Sequence, residues 1–494
     1  GLSPFFSPGA LAASAKTVSF PGRDTQIAYI ADREGGTVSV LDLKKEKLLD
    51  TDPGDDFDAT PLVVGGQPSA LAIDDRGDLP VVYVADAQTR KLVAYALDAA
   101  EDEPREFLSH LPVDLGGTLE GRVSKPIFID RDRDGSYEFI PDLAFTPSEP
   151  GSEAWKLTYR GSDKGYEVEG SVRGLQDRFA TANQSYETDD GDVSFTVVQG
   201  ETTRGKDLFY FGTAGVEPLG LTGSPQDLRI EGNELYVVTS DPAEVVVFDL
   251  DTQSVTGTAT LSDGGPDPIP GRSAILDGHL YVPNRANATL FDVDLDTLAV
   301  SVRTTPGPTT SILAIDSDTL LLSYRSEKKA GFFSLLDDTT DDLTMSDVPT
   351  HACTYELDGK SYALVPNLSA FADVIDLSTR KRVDRSNRSG SESFEDNLEF
   401  FDDGEVSAPE MISIATRDGR TLTERWQLIY EGVLPQTQGL EGTVTGDLVT
   451  LASGSWTQAR VAAGDRMVLD RTEEVEVLEV QSSSVLRLAS SPSH

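Results

Sequence analysis

The stretch "DRDRDGSYE", Asp130 to Glu138, places three aspartates at every second position. A glycine follows, and then an acidic residue. Like charges this close repel one another, and a divalent cation reverses the sign of that interaction. Calcium is the ion this pattern suits, because it takes six to eight oxygen ligands. Asp130, Asp132 and Asp134 would supply side-chain oxygens and Ser136 a backbone carbonyl. Glu138 would complete the shell directly or through water, and Gly135 permits the sharp turn. Such an ion is structural, since a fully oxygen-ligated calcium leaves little room for substrate. The competing reading is a solvated turn in which Arg131 and Arg133 neutralise the acids.

A second set of residues could do chemistry elsewhere. "THACTY" carries His351 and Cys353 two positions apart, so on a strand they share a face. Two ligands do not make a metal site, and a packed cysteine beside a polar histidine is the expectation. The chain has a single cysteine, which excludes an intrachain disulfide. No G-x-S-x-G elbow, H-E-x-x-H pair or phosphate loop is present. No catalytic residue is assigned. Acidic runs at Asp52–Asp58, Glu187–Asp192, Leu335–Asp342 and Phe394–Glu405 are expected as solvated loops. N-x-S/T triplets at Asn183, Asn287, Asn367 and Asn387 matter only in a glycosylating secretory pathway.

The elements that must position these residues repeat along the chain. "IAYIADREGGTVSVLDL" (Ile27–Leu43), "VVYVADAQTRKLVAYAL" (Val81–Leu97), "ELYVVTSDPAEVVVFDL" (Glu234–Leu250) and "HLYVPNRANATLFDVDL" (His279–Leu295) are four clear copies. Weaker ones span Leu320–Leu336 and Ser361–Leu377. Each is two β-rich runs around a polar turn, which reads as a hairpin. A third run opened by Gly or Pro precedes most hairpins, as in "GGQPSALAI" and "GSPQDLRI", and a fourth such as "SVTGTATL" follows. Four strands per unit, with clear neighbours about 45 residues apart, is the pattern of a β-propeller. We expect an all-β chain: an N-terminal arm over 1–16, a propeller of seven four-stranded blades over 17–432, and a small β-barrel-like domain over 433–494. Residues 100–220 fit the repeat poorly. The first hairpin is expected to share a blade with strands near 409–430. "AWKLTYRG" (Ala154–Gly161) and "RWQLIYEG" (Arg425–Gly432) are candidates for equivalent strands.

The units "YVAD…VAYAL" and "LYVVTSDPAEVVVFDLDTQSV", each preceded by G-x-P-x-x-L, resemble the YVTN-type, lactonase-like propeller repeat in degenerate copies. The loop at 130–138 lacks the Glu that a helical EF-hand needs at position twelve, where Pro141 stands. It resembles instead the calcium loops between strands of integrin-type propellers, with "PIFI" and "YEFI" as the flanking strands. The YVTN resemblance is specific for fold and implies a central channel. In the repeat register its lining would include Ser69, Gln226, Arg272, Thr309 and His351. Lactonase-like enzymes on this fold use channel-mouth His, Arg and carboxylates, but no motif here matches such a set residue by residue.

Charge bounds the partners. The chain has 84 acidic and 41 basic residues, net −43, so phosphate-rich nucleic acid would be repelled. No apolar run is long enough for a transmembrane helix. The start, "GLSPFFSPGALAASA", lacks the basic region of a signal peptide and reads as a processed N-terminus, compatible with a lipid anchor upstream of Gly1. The resulting expectation is an extracytoplasmic, bacterial, calcium-stabilised propeller. It would act as a binding or scaffold module for a protein or glycan in a cell-surface or extracellular assembly. The alternative is a hydrolase or lactonase with its site at the channel mouth.

Overall fold

The computed structural model describes residues 8–20, 23–45, 47–51, 60–77, 79–98, 109–129, 138–161, 164–198, 208–357, 359–368, 372–383 and strands within 442–488. Among them the regular structure is β throughout, with no helix and so none that could cross a membrane. The chain divides into two compact units: residues 1–353 with 364–373, and residues 354–363 with 374–494.

The first unit is a β-propeller, and its sequence runs explain why. "VVYVAD" is apolar at nearly every position, so a strand made of it must be covered on both faces. In Val81–Asp86 the side chains alternate. Val82 and Val84 join Tyr29, Val38 and Val40 of the preceding sheet, whereas Tyr83 and Ala85 join Leu228, Leu235 and Val237 of the following one. The next boundaries repeat this. Tyr236 and Val238 meet Leu280, Val282 and Phe291, and Tyr281 and Leu290 meet Leu320, Leu322 and Phe333. Each such side chain contributes roughly 1.5–3 kcal/mol on burial, so the stacking of sheets, not any single sheet, carries the stability.

Five antiparallel sheets of this unit run outward from an inner strand. Blade 1 is Pro8–Phe20, Arg23–Asp32, Thr37–Asp42 and Lys47–Leu49; blade 2 begins with Pro68–Asp74, Val81–Asp86 and Lys91–Leu97. Blade 3 covers Ser224–Glu231 to Ser254–Thr260, blade 4 Ala274–Leu276 to Val300–Thr304, and blade 5 Thr309–Asp316 to Thr340–Thr344. The same strand order recurs over Cys353–Arg382, giving six such sheets among the described residues against seven expected for the whole chain. Pro8–Lys16, read from the sequence as arm, continues into Thr17–Phe20 as one strand paired with Arg23–Asp32. The segments proposed for closure, 409–430 and Arg425–Gly432, lie outside the described residues.

The poor fit of residues 100–220 has a topological cause. Lys91–Leu97 is paired by two short strands, His110–Pro112 and Leu219–Gly220. Everything between them is an insertion into blade 2. It forms its own sheet, in which Leu208–Val216 lies between Glu120–Val123 and Gly151–Tyr159, followed by Tyr166–Gly170 and Gly174–Leu175. Its separate core is built on Trp155, Tyr166, Phe195 and Phe209. The "AWKLTY" run is thus a strand of the insertion.

In the second unit, Ile375 pairs with Arg382 and Asp376 with Lys381. Farther on, a five-stranded antiparallel sheet has the order Gly442–Thr445, Leu448–Leu451, Val485–Leu488, Glu473–Val480, Arg466–Leu469.

Candidate functional site

Asp130, Asp132, Asp134 and Ser136 of the expected calcium loop lie outside the described residues. Before the loop, Ile127–Ile129 is a strand paired with Leu208–Tyr210. After it, Glu138 is fully buried and Phe139 bridges Val198. Among the described residues no three His, Cys, Asp or Glu side chains are grouped as metal ligands.

The channel wall is formed by the inner strands. Pro8–Phe20 lies beside Pro68–Asp74, which lies beside Ser224–Glu231, and Ala274–Leu276 lies beside Thr309–Asp316. The pairing of these strands slips by one residue at the same place, between Pro68 and Ala70, Pro225 and Asp227, and Thr309 and Ser311. The extra residues are Ser69, Gln226 and Thr310, and a bulge re-aims the side chain it carries. Thr309, expected in this set, is instead buried and pairs with Tyr324. Counting by twos from the sequence misses a bulge, hence the one-residue error. Ser69 Oγ donates to the Pro225 carbonyl of the next blade at 3.0 Å. The backbone of Arg272 is bonded to that of Thr310 and Ile312.

Around Arg272 the wall carries charge. Buried Asp227 accepts from Ser273 N and Oγ at 2.7 and 2.8 Å and from Arg229 at 3.1 Å, which ties blade 3 to blade 4. Burial lowers the Arg272 pKa, opposed by Asp227. His351 and Cys353 both reach solvent. Yet desolvation, followed by the Arg272 charge, lowers the His351 pKa, and desolvation raises that of Cys353. Contact with water inside largely protein surroundings is what a channel wall gives.

Three arginines gather where the inner strands begin. At the residue just before the slip the two strands pair as Asp32↔Pro8, Asp86↔Pro68, Thr239↔Pro225 and Tyr324↔Thr309, and in blade 4 an isolated bridge, Asn284↔Pro270, stands at the same place. The next residue is therefore one repeat position: Arg33, Ala87, Ser240, Arg285 and Arg325. Arg285 N and Arg325 N make the same bond, to the carbonyls of Ile269 and Pro308. Arg33 donates to Gln67 Oε1 and Arg285 to Gln226 Oε1, each at 3.3 Å. Arg325 donates to the Arg285 carbonyl at 2.8 Å. Burial, then the charges of Arg325 and Arg33, lower the Arg285 pKa. The sequence reading did not single these out, although "ADR", "PNR" and "SYR" stand in register at the end of three repeat strands.

The insertion offers a different surface. Val172, Leu175 and Phe179 are exposed within eight residues, at 72%, 60% and 39%. Beside them, the acidic run Glu187–Asp192 is organised rather than only solvated. Arg173 pairs with Glu153 at 2.7 Å, Asp190 at 2.5 Å and Asp192 at 3.0 Å and lies over Trp155. The blade 1 turn at Glu34–Gly36 and Ser124, Lys125 and Ile140 of the insertion line a cleft of about 260 Å³, beside which Lys125 N donates to the Gly35 carbonyl at 2.9 Å.

No family model matches the chain, and no curated protein matches it. Solved structures are similar in part. The dihydro-heme d1 dehydrogenase NirN, in complex with DHE, is 16% identical with a TM-score of 0.36. The match covers 75% of this chain and 66% of that one. U3-55K is 9% identical, TM-score 0.37, over 76% and 80% of the two chains. A chain of a nidogen/laminin complex is 13% identical, TM-score 0.35, over 72% and 92%. At these scores the likenesses carry no functional weight.

Proposed function

We propose that this chain is an extracytoplasmic, calcium-stabilised β-propeller that works as a binding and scaffold module in a cell-surface or extracellular assembly. The observation that carries the binding role is the inserted sheet. It interrupts blade 2, has its own core, and holds Val172, Leu175 and Phe179 out to solvent. Clustered exposed apolar side chains mark interaction surfaces, and a protein partner suits them. Calcium enters through Asp130, Asp132, Asp134, Ser136 and Glu138. The Glu138 carboxylate is fully buried, and burial of a carboxylate requires compensation, to which a bound cation would add. That ion would act structurally, holding the end of Ile127–Ile129 in place.

Calorimetry with EGTA and with millimolar calcium tests the metal. A ligand at a hundredfold excess over Kd stabilises the folded state by about 2.7 kcal/mol, so the calcium form should melt higher, and Asp132→Ala should remove most of that gain. Coincident curves would sink the calcium assignment. For the partner, cross-linking in the native envelope should map to the inserted sheet, and a Val172→Asp, Leu175→Asp variant should lose those cross-links. His351 within reach of the Arg272 charge, which with desolvation lowers its pKa, favours a second reading, a hydrolase or lactonase. Turnover of a lactone panel that disappears in His351→Ala would establish it in place of the scaffold.

A further inference from the structure

Arg33, Arg285 and Arg325 come from blades 1, 4 and 5, yet occupy one position of the repeat. Each guanidinium has a neutral partner: the Gln67 amide, the Gln226 amide and the Arg285 carbonyl. None of the three makes an ion pair among the described residues. Nε of Arg285 is buried without a hydrogen-bond partner, and a buried donor left so costs free energy. The chain has 84 acidic residues to 41 basic ones, so scarcity of carboxylates does not explain three uncompensated cations. Arg285 is half-buried, and the like charges of exposed Arg33 and Arg325 act on it; like charges repel, and an incoming anion removes that repulsion. Guanidinium forks match the oxygens of carboxylate and phosphate groups.

We propose that Arg33, Arg285 and Arg325, with the amides of Gln67 and Gln226, form an oxyanion site at the channel mouth that takes a carboxylate or phosphate group. The net charge of −43 sets the surrounding field against long polyanions, so the ligand is a small molecule or a short terminus. The site uses none of Val172, Leu175 and Phe179 of the partner surface, so either can fail without the other.

Isothermal titration of the full chain with inorganic phosphate, and separately with citrate, in chloride buffer of matched ionic strength, tests this. Saturable binding is expected for at least one of them. The tighter arm identifies the ligand as phosphoryl or carboxylate. Arg285→Gln should weaken binding about tenfold or more. Arg33→Gln, at an exposed position, should weaken it too and covers the case in which Arg285→Gln does not fold. Arg160→Gln, which removes the same charge from the inserted sheet, should leave it unchanged. Absence of saturable binding of both anions at millimolar concentration overturns the proposal. So does equal binding by the wild-type protein and Arg33→Gln.

Discussion

Aspartate does three distinct jobs in this chain. At the end of the third strand of a blade it caps the turn. Asp42 accepts from Lys44 N and Lys45 N at 3.0 Å, Asp249 from Thr252 N at 2.6 Å, and Asp294 from Thr297 N at 2.8 Å. Bonds from Thr252 hold Asp249, and bonds from Thr297 hold Asp294, below the usual carboxylate range. At Asp227 and Asp86 it joins elements. In the loop at 130–138 its proposed partner is a metal. One letter therefore needs its surroundings before it means anything, and the same holds for His351. Its folded pKa is lowered from 6.5, by desolvation first and Arg272 second. Neutral His351 thus favours the folded state above pH 6.5, and that contribution is lost as pH falls through the folded value. The imidazole NMR signals of His351 should titrate below 6.5, and Arg272→Gln should move the midpoint part of the way back. An unchanged midpoint in that variant would mean that Arg272 does not act on the ring.

At the scale of elements, the insertion is fastened to blade 2 by charge. Asp86 is fully buried, and Arg122 of Glu120–Val123 meets it at 3.0 Å. The same carboxylate accepts from Gln67 N at 2.9 Å and Gln88 N at 3.0 Å. Gly66 is forced by this arrangement: its φ is +56°, and a Cβ there would stand 2.3 Å from the Asp86 oxygens. Removing one member of a buried pair strands the other charge. Arg122→Met should therefore destabilise the first unit by about 3 kcal/mol, and Asp86→Asn in the same background should recover part of the loss. Urea denaturation measures both. A change below about 1 kcal/mol would place the pair among weak surface bridges.

For the whole molecule, net charge is the dominant long-range term. At −43 the folded chain repels itself, and compaction makes this worse. The Debye length shrinks from about 10 Å at 0.1 M salt to about 3 Å at 1 M, so sodium chloride should raise the melting temperature steadily over that range. A fall would show that local ion pairs such as Arg173 with Glu153, Asp190 and Asp192 outweigh the global repulsion.

The sequence by itself determined the strand type, the four-run unit and the hairpin positions. Near-continuous apolar runs such as "VVYVA" and "LYVV" demand cover on both faces, and that demand is local to each strand. It also contained the aligned arginines, unread because a charged residue after a strand is ordinary in one copy. Only the tertiary structure decided the rest. Pairing of one strand on both sides of residues 113–218, Leu97 with His110 and Lys91 with Gly220, turned an ill-fitting segment into an insertion. The bulges at Ser69, Gln226 and Thr310 shifted the channel register, since a bulge is visible only against a partner strand. The gathering of Arg33, Arg285 and Arg325 depends on stacking blades far apart in the chain, and no local pattern encodes that proximity.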